Sequence, residues 1–261
     1  MPTKRAIVTA AAGLPLAFLG LLVAEVAIAT RREYLPDVPG YVVEGRATPS
    51  EPTTGPTIAE PLRMVMVGDS TVAGLGSPTA AESLALLTAQ RVADATGREV
   101  DVRGVGVSGA RTVDVRNEQL ASVEPVAVDV LVVVVGSNDV THLTPPWQFG
   151  RLTRSMLDAA RAKRVPVVLG GIPLFGGATA LAQPLRWVVD RNASLMREVQ
   201  RRAAARTPGV AFVDIATLAS PRFVGVPGAM SDDGFHPGPP GYGFWADALA
   251  PAVVEAVTSP G

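Results

Sequence analysis

Three short polar motifs hold residue types that do chemistry together: Gly68-Asp69-Ser70, Gly136-Ser137-Asn138-Asp139 and Asp233-Gly234-Phe235-His236-Pro237. Ser70 offers a hydroxyl nucleophile and His236 a base. Asp233 offers a carboxylate to fix the tautomer of that base, and Asn138 an amide N–H for a developing oxyanion. These are the parts of acyl transfer through a serine. Each motif alone also suits a plainer role: a helix N-cap at Ser70, an Asx-turn at Asn138, a solvated loop at His236. The chain has only 2 histidines, His142 and His236, which weighs against an idle His236.

Neighbouring residues have smaller parts. Asp69 reads as a turn-stabilising carboxylate, and Asp232 is a weaker alternative partner for His236. His142 suits a polar loop and Arg111 a helix start at the surface. Gly170-Gly171-Ile172-Pro173-Leu174-Phe175 ends a predicted strand and suits an apolar pocket wall. Gly104-Val105-Gly106-Val107-Ser108-Gly109 matches the dinucleotide pattern GxGxxG. The acidic residue that such a site wants at the end of the next strand is replaced by Gly136-Ser137-Asn138. Gly109 is better placed to lend a backbone N–H to an oxyanion hole.

The elements that must position these groups are legible from periodicity. Apolar runs over 62–67, 100–105, 128–135, 165–170 and 210–215 predict strands. The run Val130-Leu131-Val132-Val133-Val134-Val135 suits a strand buried on both faces of a parallel sheet. Helical patterns over about 80–96, 111–122, 147–163, 185–206 and 241–257 alternate with the strands. The alternation predicts a doubly wound α/β fold with five parallel strands, binding its ligand beyond their carboxyl ends. Gly68 permits the tight turn that delivers Ser70 there.

The segment before this domain differs. Residues 6–30 are almost wholly apolar or small, with Glu25 the single ionisable residue. Such a run is long enough for a bilayer, which takes ~20 residues. It reads as a signal anchor over 1–32, or as a signal peptide cut after Ala29. Lys4 and Arg5 before it and Arg31 and Arg32 after it give little charge bias, with the amino terminus inside as the favoured orientation. The expected location is the cell membrane with an extracytoplasmic domain, or secretion after cleavage. Residues 33–61 are rich in proline and glycine and read as an extended linker or wrapping arm, leaving 62–261 as the compact domain.

Net charge is −1 and the basic residues are scattered, so nothing suggests a nucleic-acid partner. No metal-ligand spacing is present, and with Cys 0 no disulfide or lipidated cysteine is possible.

Gly68-Asp69-Ser70-Thr71-Val72-Ala73-Gly74 resembles the first block of the SGNH (GDSL) hydrolase family. Gly109 is similar to its second-block glycine, Gly136-Ser137-Asn138-Asp139 to its third block, and Asp233 to His236 to its DxxH block. The match spans about 62–257, and with the apolar leader the layout is similar to exported actinobacterial members. The resemblance implies a flavodoxin-like α/β/α fold, a Ser70–His236–Asp233 triad, and an oxyanion hole from Ser70, Gly109 and Asn138. It implies a serine esterase with no cofactor, acting on a small-molecule, lipid or glycan ester. An acyltransferase or deacetylase acting on envelope glycans or lipids would use the same site. One departure is visible: Val105 to Ser108 lacks the asparagine that often precedes the second-block glycine.

Overall fold

The computed structural model describes residues 4–51, 60–124 and 128–259, with side chains placed from residue 17 onward. In chain order the elements begin with α1 (Lys4–Arg31), β1 (Glu44–Ala47), β2 (Leu62–Gly68), α2 (Ser70–Ala73) and α3 (Leu84–Thr96). Next come β3 (Val100–Gly106), a mixed helical stretch that opens as α4 (Thr112–Asp114), and β4 (Val130–Val134). Then follow α5 (Ser137–Thr141), α6 (Pro146–Arg161), β5 (Val167–Gly170) and α7 (Leu185–Ala205). The chain ends with β6 (Val210–Val213), α8 (Ile215–Leu218) and α9 (Pro239–Thr258).

The five expected strands all form, and they run parallel in the order β3-β2-β4-β5-β6. Counted along the parallel strands alone, this is the flavodoxin-like order, whose switch point lies between the first and third strands. Here that point falls between β2 and β4, the strands that end at Gly68-Asp69-Ser70 and Gly136-Ser137-Asn138.

The strand count is six rather than five. β1, inside the Pro-rich segment, adds an antiparallel edge to β3, with Glu44 opposite Arg103 and Ala47 opposite Val100. Its sequence, Glu44-Gly45-Arg46-Ala47, has no apolar alternation, and so gives no strand signal. It is held by a fork from Arg46 to Asp101, at 2.6 and 2.8 Å, and by the burial of Val43 and Ala47.

The pleat sorts the central strand between two cores. Val130, Val132 and Val134 face one layer, made by α3 and α9 with Leu84, Ala89, Tyr242, Leu249 and Val253. Leu131, Val133 and Val135 face the other, made by α6, α7 and the 112–122 stretch with Leu120, Met156, Leu157 and Ala203. A third, smaller core gathers Phe149, Ile172, Phe175, Leu185 and Met196 beyond the carboxyl end of β5.

Among the described residues no helix is long and apolar enough to cross a membrane, and the expected span over 6–30 lies in part outside them. The side chains of 6–16 lie outside the described residues. The rest of α1 uses one face to dock on the protein. Leu22 and Ala29 pack against the third core, and the buried Glu25 carboxylate accepts a 2.7 Å hydrogen bond from Leu185 N at the start of α7.

Candidate active site

The turn after β2 presents Ser70 as the first residue of α2, at the switch point. Asp69 caps that short helix, its Oδ1 accepting from Thr71 N at 3.0 Å and from the Thr71 hydroxyl at 2.8 Å. Burial pushes the Asp69 carboxyl above its usual range, against the pull of the Thr71 hydrogen bonds. The turn-stabilising role expected for Asp69 is the one observed.

His236 arrives from the loop before α9. Its Nε2 lies 2.9 Å from Ser70 Oγ and its Nδ1 lies 2.6 Å from Asp233 Oδ2. A carboxylate only accepts, so Nδ1 carries the proton, and in the neutral ring Nε2 is left to accept from Ser70. Asp233 Oδ1 is fully engaged by Ser231 Oγ at 2.8 Å, Phe235 N at 2.8 Å and His236 N at 2.9 Å. Burial pushes the Asp233 carboxyl upward. The His236 ring and the backbone donors outweigh burial and hold it well below the usual carboxylate range. Asp233, Ser70 and His236 are all buried, whereas Asp232 is exposed, and the carboxylate that meets His236 Nδ1 is that of Asp233.

Asn138 lies near the start of α5 and spends one amide hydrogen on Ala110 O at 3.0 Å. An amide nitrogen has two hydrogens, so one remains. Ala110 follows Gly109, whose φ of 76° is a left-handed conformation that glycine adopts without a Cβ clash. Among the described residues neither the Ser70 N–H nor the Gly109 N–H donates to a protein acceptor. The other glycines of the GxGxxG match serve packing: a Cβ on Gly106 would sit 2.2 Å from Ala73 N, so the close approach of α2 to β3 explains it.

Asp139, next to Asn138, is buried and accepts from both the N–H and the hydroxyl of Thr112 at 2.9 Å. Burial raises its pKa against those hydrogen bonds. It thereby ties the Gly136-Ser137-Asn138-Asp139 motif to the start of α4, just past Gly109. His142 is exposed and bonds locally to Asn138 O at 2.8 Å, and Arg111 pairs loosely with Asp114 at 3.9 Å. Neither lines the cleft, in line with their polar surface reading.

Two positioning residues have no sequence motif. Gln119 is buried and bonds both backbone groups of Gly68, accepting from N and donating to O at 2.8 Å each. Gln200 is buried and does the same between strands, accepting from Ile172 N at 3.0 Å and donating to Val135 O at 2.8 Å. Both clamp the carboxyl ends of strands from helices whose buried faces are otherwise apolar. A glutamine on the apolar face of an amphipathic helix is the signal that would have found them. Gln119→Leu leaves the Gly68 N–H unpaired beside Ser70 and the Gly68 C=O with Val107 N alone, at 3.1 Å. The expected cost is about 2 kcal/mol in a denaturant melt, with a larger fractional loss of activity than Gln119→Glu.

The serine opens on a cleft of about 320 Å³. Its far wall is apolar: Leu174 and Phe175 from the loop after β5, Phe223, Val224 and Met230 from the loops before α9, and Trp245 from α9 itself. The pocket wall expected from 170–175 is therefore in place. Among the described residues the only titratable side chains that line it are Asp69, whose Oδ1 is engaged by Thr71, and His236. Among the described residues there is no cluster of ligands for a metal ion.

Comparison with known proteins gives this layout its relatives. The chain is 30% identical over 200 residues to the GDSL-like esterase Rv1075c of Mycobacterium tuberculosis (strain ATCC 25618 / H37Rv), a match covering 76% of this chain and 63% of that protein. It thus spans under two thirds of that relative's length. Among solved structures it is similar to TesA, with 26% identity, a TM-score of 0.57 and coverage of 73% of this chain and 97% of that one. A GDSL-like lipase from Parabacteroides merdae ATCC 43184 shares the fold at 20% identity and a TM-score of 0.58, covering 75% of this chain and 97% of that one. The model of the GDSL-like Lipase/Acylhydrolase family matches residues 66–244, from within β2 to within α9. Because that span takes in the serine turn, the Asn138 motif and the histidine loop together, the chain belongs to the GDSL-like lipase/acylhydrolase family.

Proposed function

We propose that this protein hydrolyses carboxylic esters with an apolar acyl group, through an acyl-enzyme on Ser70. The observation that carries the proposal is the hydrogen-bonded series from Ser70 Oγ through His236 to Asp233, at 2.9 and 2.6 Å. His236 Nε2 takes the Ser70 proton as Oγ attacks the ester carbonyl, and Asp233 stabilises the imidazolium. The N–H groups of Ser70 and Gly109 and the second Asn138 amide hydrogen receive the oxyanion. The imidazolium then protonates the leaving alcohol. Water, deprotonated by the same Nε2, releases the acid.

The acyl preference rests on the cleft. A wall of leucine, phenylalanine, valine, methionine and tryptophan stabilises methylenes by about 0.8 kcal/mol each and offers no cation to an anionic acyl group. The volume lies at the lower end of small-molecule sites, which run from roughly 300 to 1,000 Å³.

The test is active-site labelling with a serine-reactive phosphonate, followed by turnover of nitrophenyl esters of graded acyl length. Mass spectrometry is expected to place the adduct on Ser70. The specificity constant is expected to rise severalfold from acetyl to medium-chain acyl groups. An adduct on another residue, or none, removes the nucleophile assignment; a maximum at acetyl removes the apolar acyl assignment.

A further inference from the structure

The segment after α1 touches both loops that serve the cleft. Arg32 Nη1 donates to Ala180 O at 3.4 Å, and Ala180 N in turn donates to Gly234 O at 3.0 Å. The ring of Tyr34 packs edge-on against Phe235 with centroids 5.7 Å apart, and Phe235 packs edge-on against the His236 ring at 5.3 Å. Asp37 Oδ1 accepts from Ser108 Oγ at 2.9 Å, one residue before Gly109. A run of six residues thus reaches the histidine loop at one end and the Gly109 loop at the other.

We propose that residues 32–37 form a positioning arm for the active site, with Tyr34 as its main contact. Phe235 lies between Asp233 and His236 in the chain. Its ring is held from two sides, by Phe175 at 6.2 Å and by Tyr34 at 5.7 Å. Taking away the Tyr34 ring opens one of those sides to water and lets the 233–236 turn shift. A displacement of about 1 Å at a reacting group can cost on the order of a hundredfold in rate, and the series Ser70–His236–Asp233 has no slack to absorb one. Tyr34 does not line the cleft itself and reaches it only through Phe235, which does. The proposal rests on the assignment of His236 as the base.

The test compares the full chain with Y34A and Y34F. Y34F keeps the ring and loses only the hydroxyl bond to Ala29 O, which is 3.0 Å long. Three readouts are taken: ester turnover, the rate of phosphonate labelling, and backbone hydrogen exchange over 231–237. Y34A is expected to lower kcat and the labelling rate about tenfold, with KM within about twofold and faster exchange in the loop. Y34F is expected to restore all of them to within about twofold. Exchange and turnover unchanged in Y34A overturn the proposal, as does Y34F being as impaired as Y34A. Should Y34A fail to fold, Y34L, which retains apolar cover, is judged by the same readouts. A wild-type chain that leaves Ser70 unlabelled sinks the hydrolase assignment instead, and the arm then stands or falls on the exchange of 231–237 alone.

Discussion

Replacing Ser70 with alanine is expected to lower kcat for ester turnover by about 10⁵-fold, with the folded state unchanged. The loss is that large because the hydroxyl is the atom that would carry the acyl group, and no neighbour offers a second nucleophile. The hydroxyl of Thr71 is committed to Asp69 Oδ1 at 2.8 Å, and Ser137, also in the cleft lining, belongs to α5 across the switch point. What survives is transition-state stabilisation by the oxyanion donors and by binding, which in serine hydrolases is worth about 10³–10⁴ over water. The fold is spared for a local reason: among the described residues the one hydrogen bond Ser70 Oγ makes is to His236 Nε2, and the cap of α2 is supplied by Asp69. Loss of one such bond costs about 1 kcal/mol. The check is a kcat measurement beside a thermal melt and phosphonate labelling. More than a tenth of wild-type turnover in a folded S70A sample would remove Ser70 from the chemistry.

Much of this was legible in the sequence because the signals are local. The unbroken apolar run at 130–135 suited a strand covered on both sides, and β4 is one. A glycine-rich polar turn after each of β2 and β4 implied a sheet edge, and the parallel order brings those two turns to the switch point. Asp233, ranked above Asp232 as the partner of His236, is the residue whose carboxylate meets His236 Nδ1. What the sequence concealed is held by contacts distant along the chain. β1 is four residues long with no apolar alternation, and it exists because Arg46 finds Asp101 and Val43 finds a core. Gln119 and Gln200 look like ordinary polar residues until the strand ends they clamp are in place. Arg32 reads as the end of the anchor and residues 33–37 as linker, because their partners lie roughly 70 to 200 positions away, at Ser108, Ala180 and Phe235.

Asp233→Asn is expected to be nearly as damaging as the loss of the nucleophile, for a reason of tautomer rather than bulk. Asp233 Oδ1 accepts from Ser231, Phe235 and His236, and an asparagine oxygen there would keep those three bonds and hence the loop. The amide nitrogen would then face His236 Nδ1 as a donor. The neutral ring answers by moving its proton to Nε2, where it points at Ser70 Oγ and can no longer take a proton from it. A loss of about 10⁴ in kcat at neutral pH follows. The same carboxylate also carries a pH signature. Donors hold its folded pKa well below the ordinary value of about 3.9, so its contribution to stability is present above that ordinary value and is lost as pH falls through it toward the folded one. The wild-type protein should therefore be more stable than D233N at neutral pH, by a margin that narrows below roughly pH 4. Urea melts of both proteins from about pH 3 to 8, with kcat at neutral pH, decide the matter. A margin that stays constant into acid would mean that Asp233 gains nothing from its donors, and a D233N enzyme with a tenth of wild-type kcat would mean that His236 does not need it.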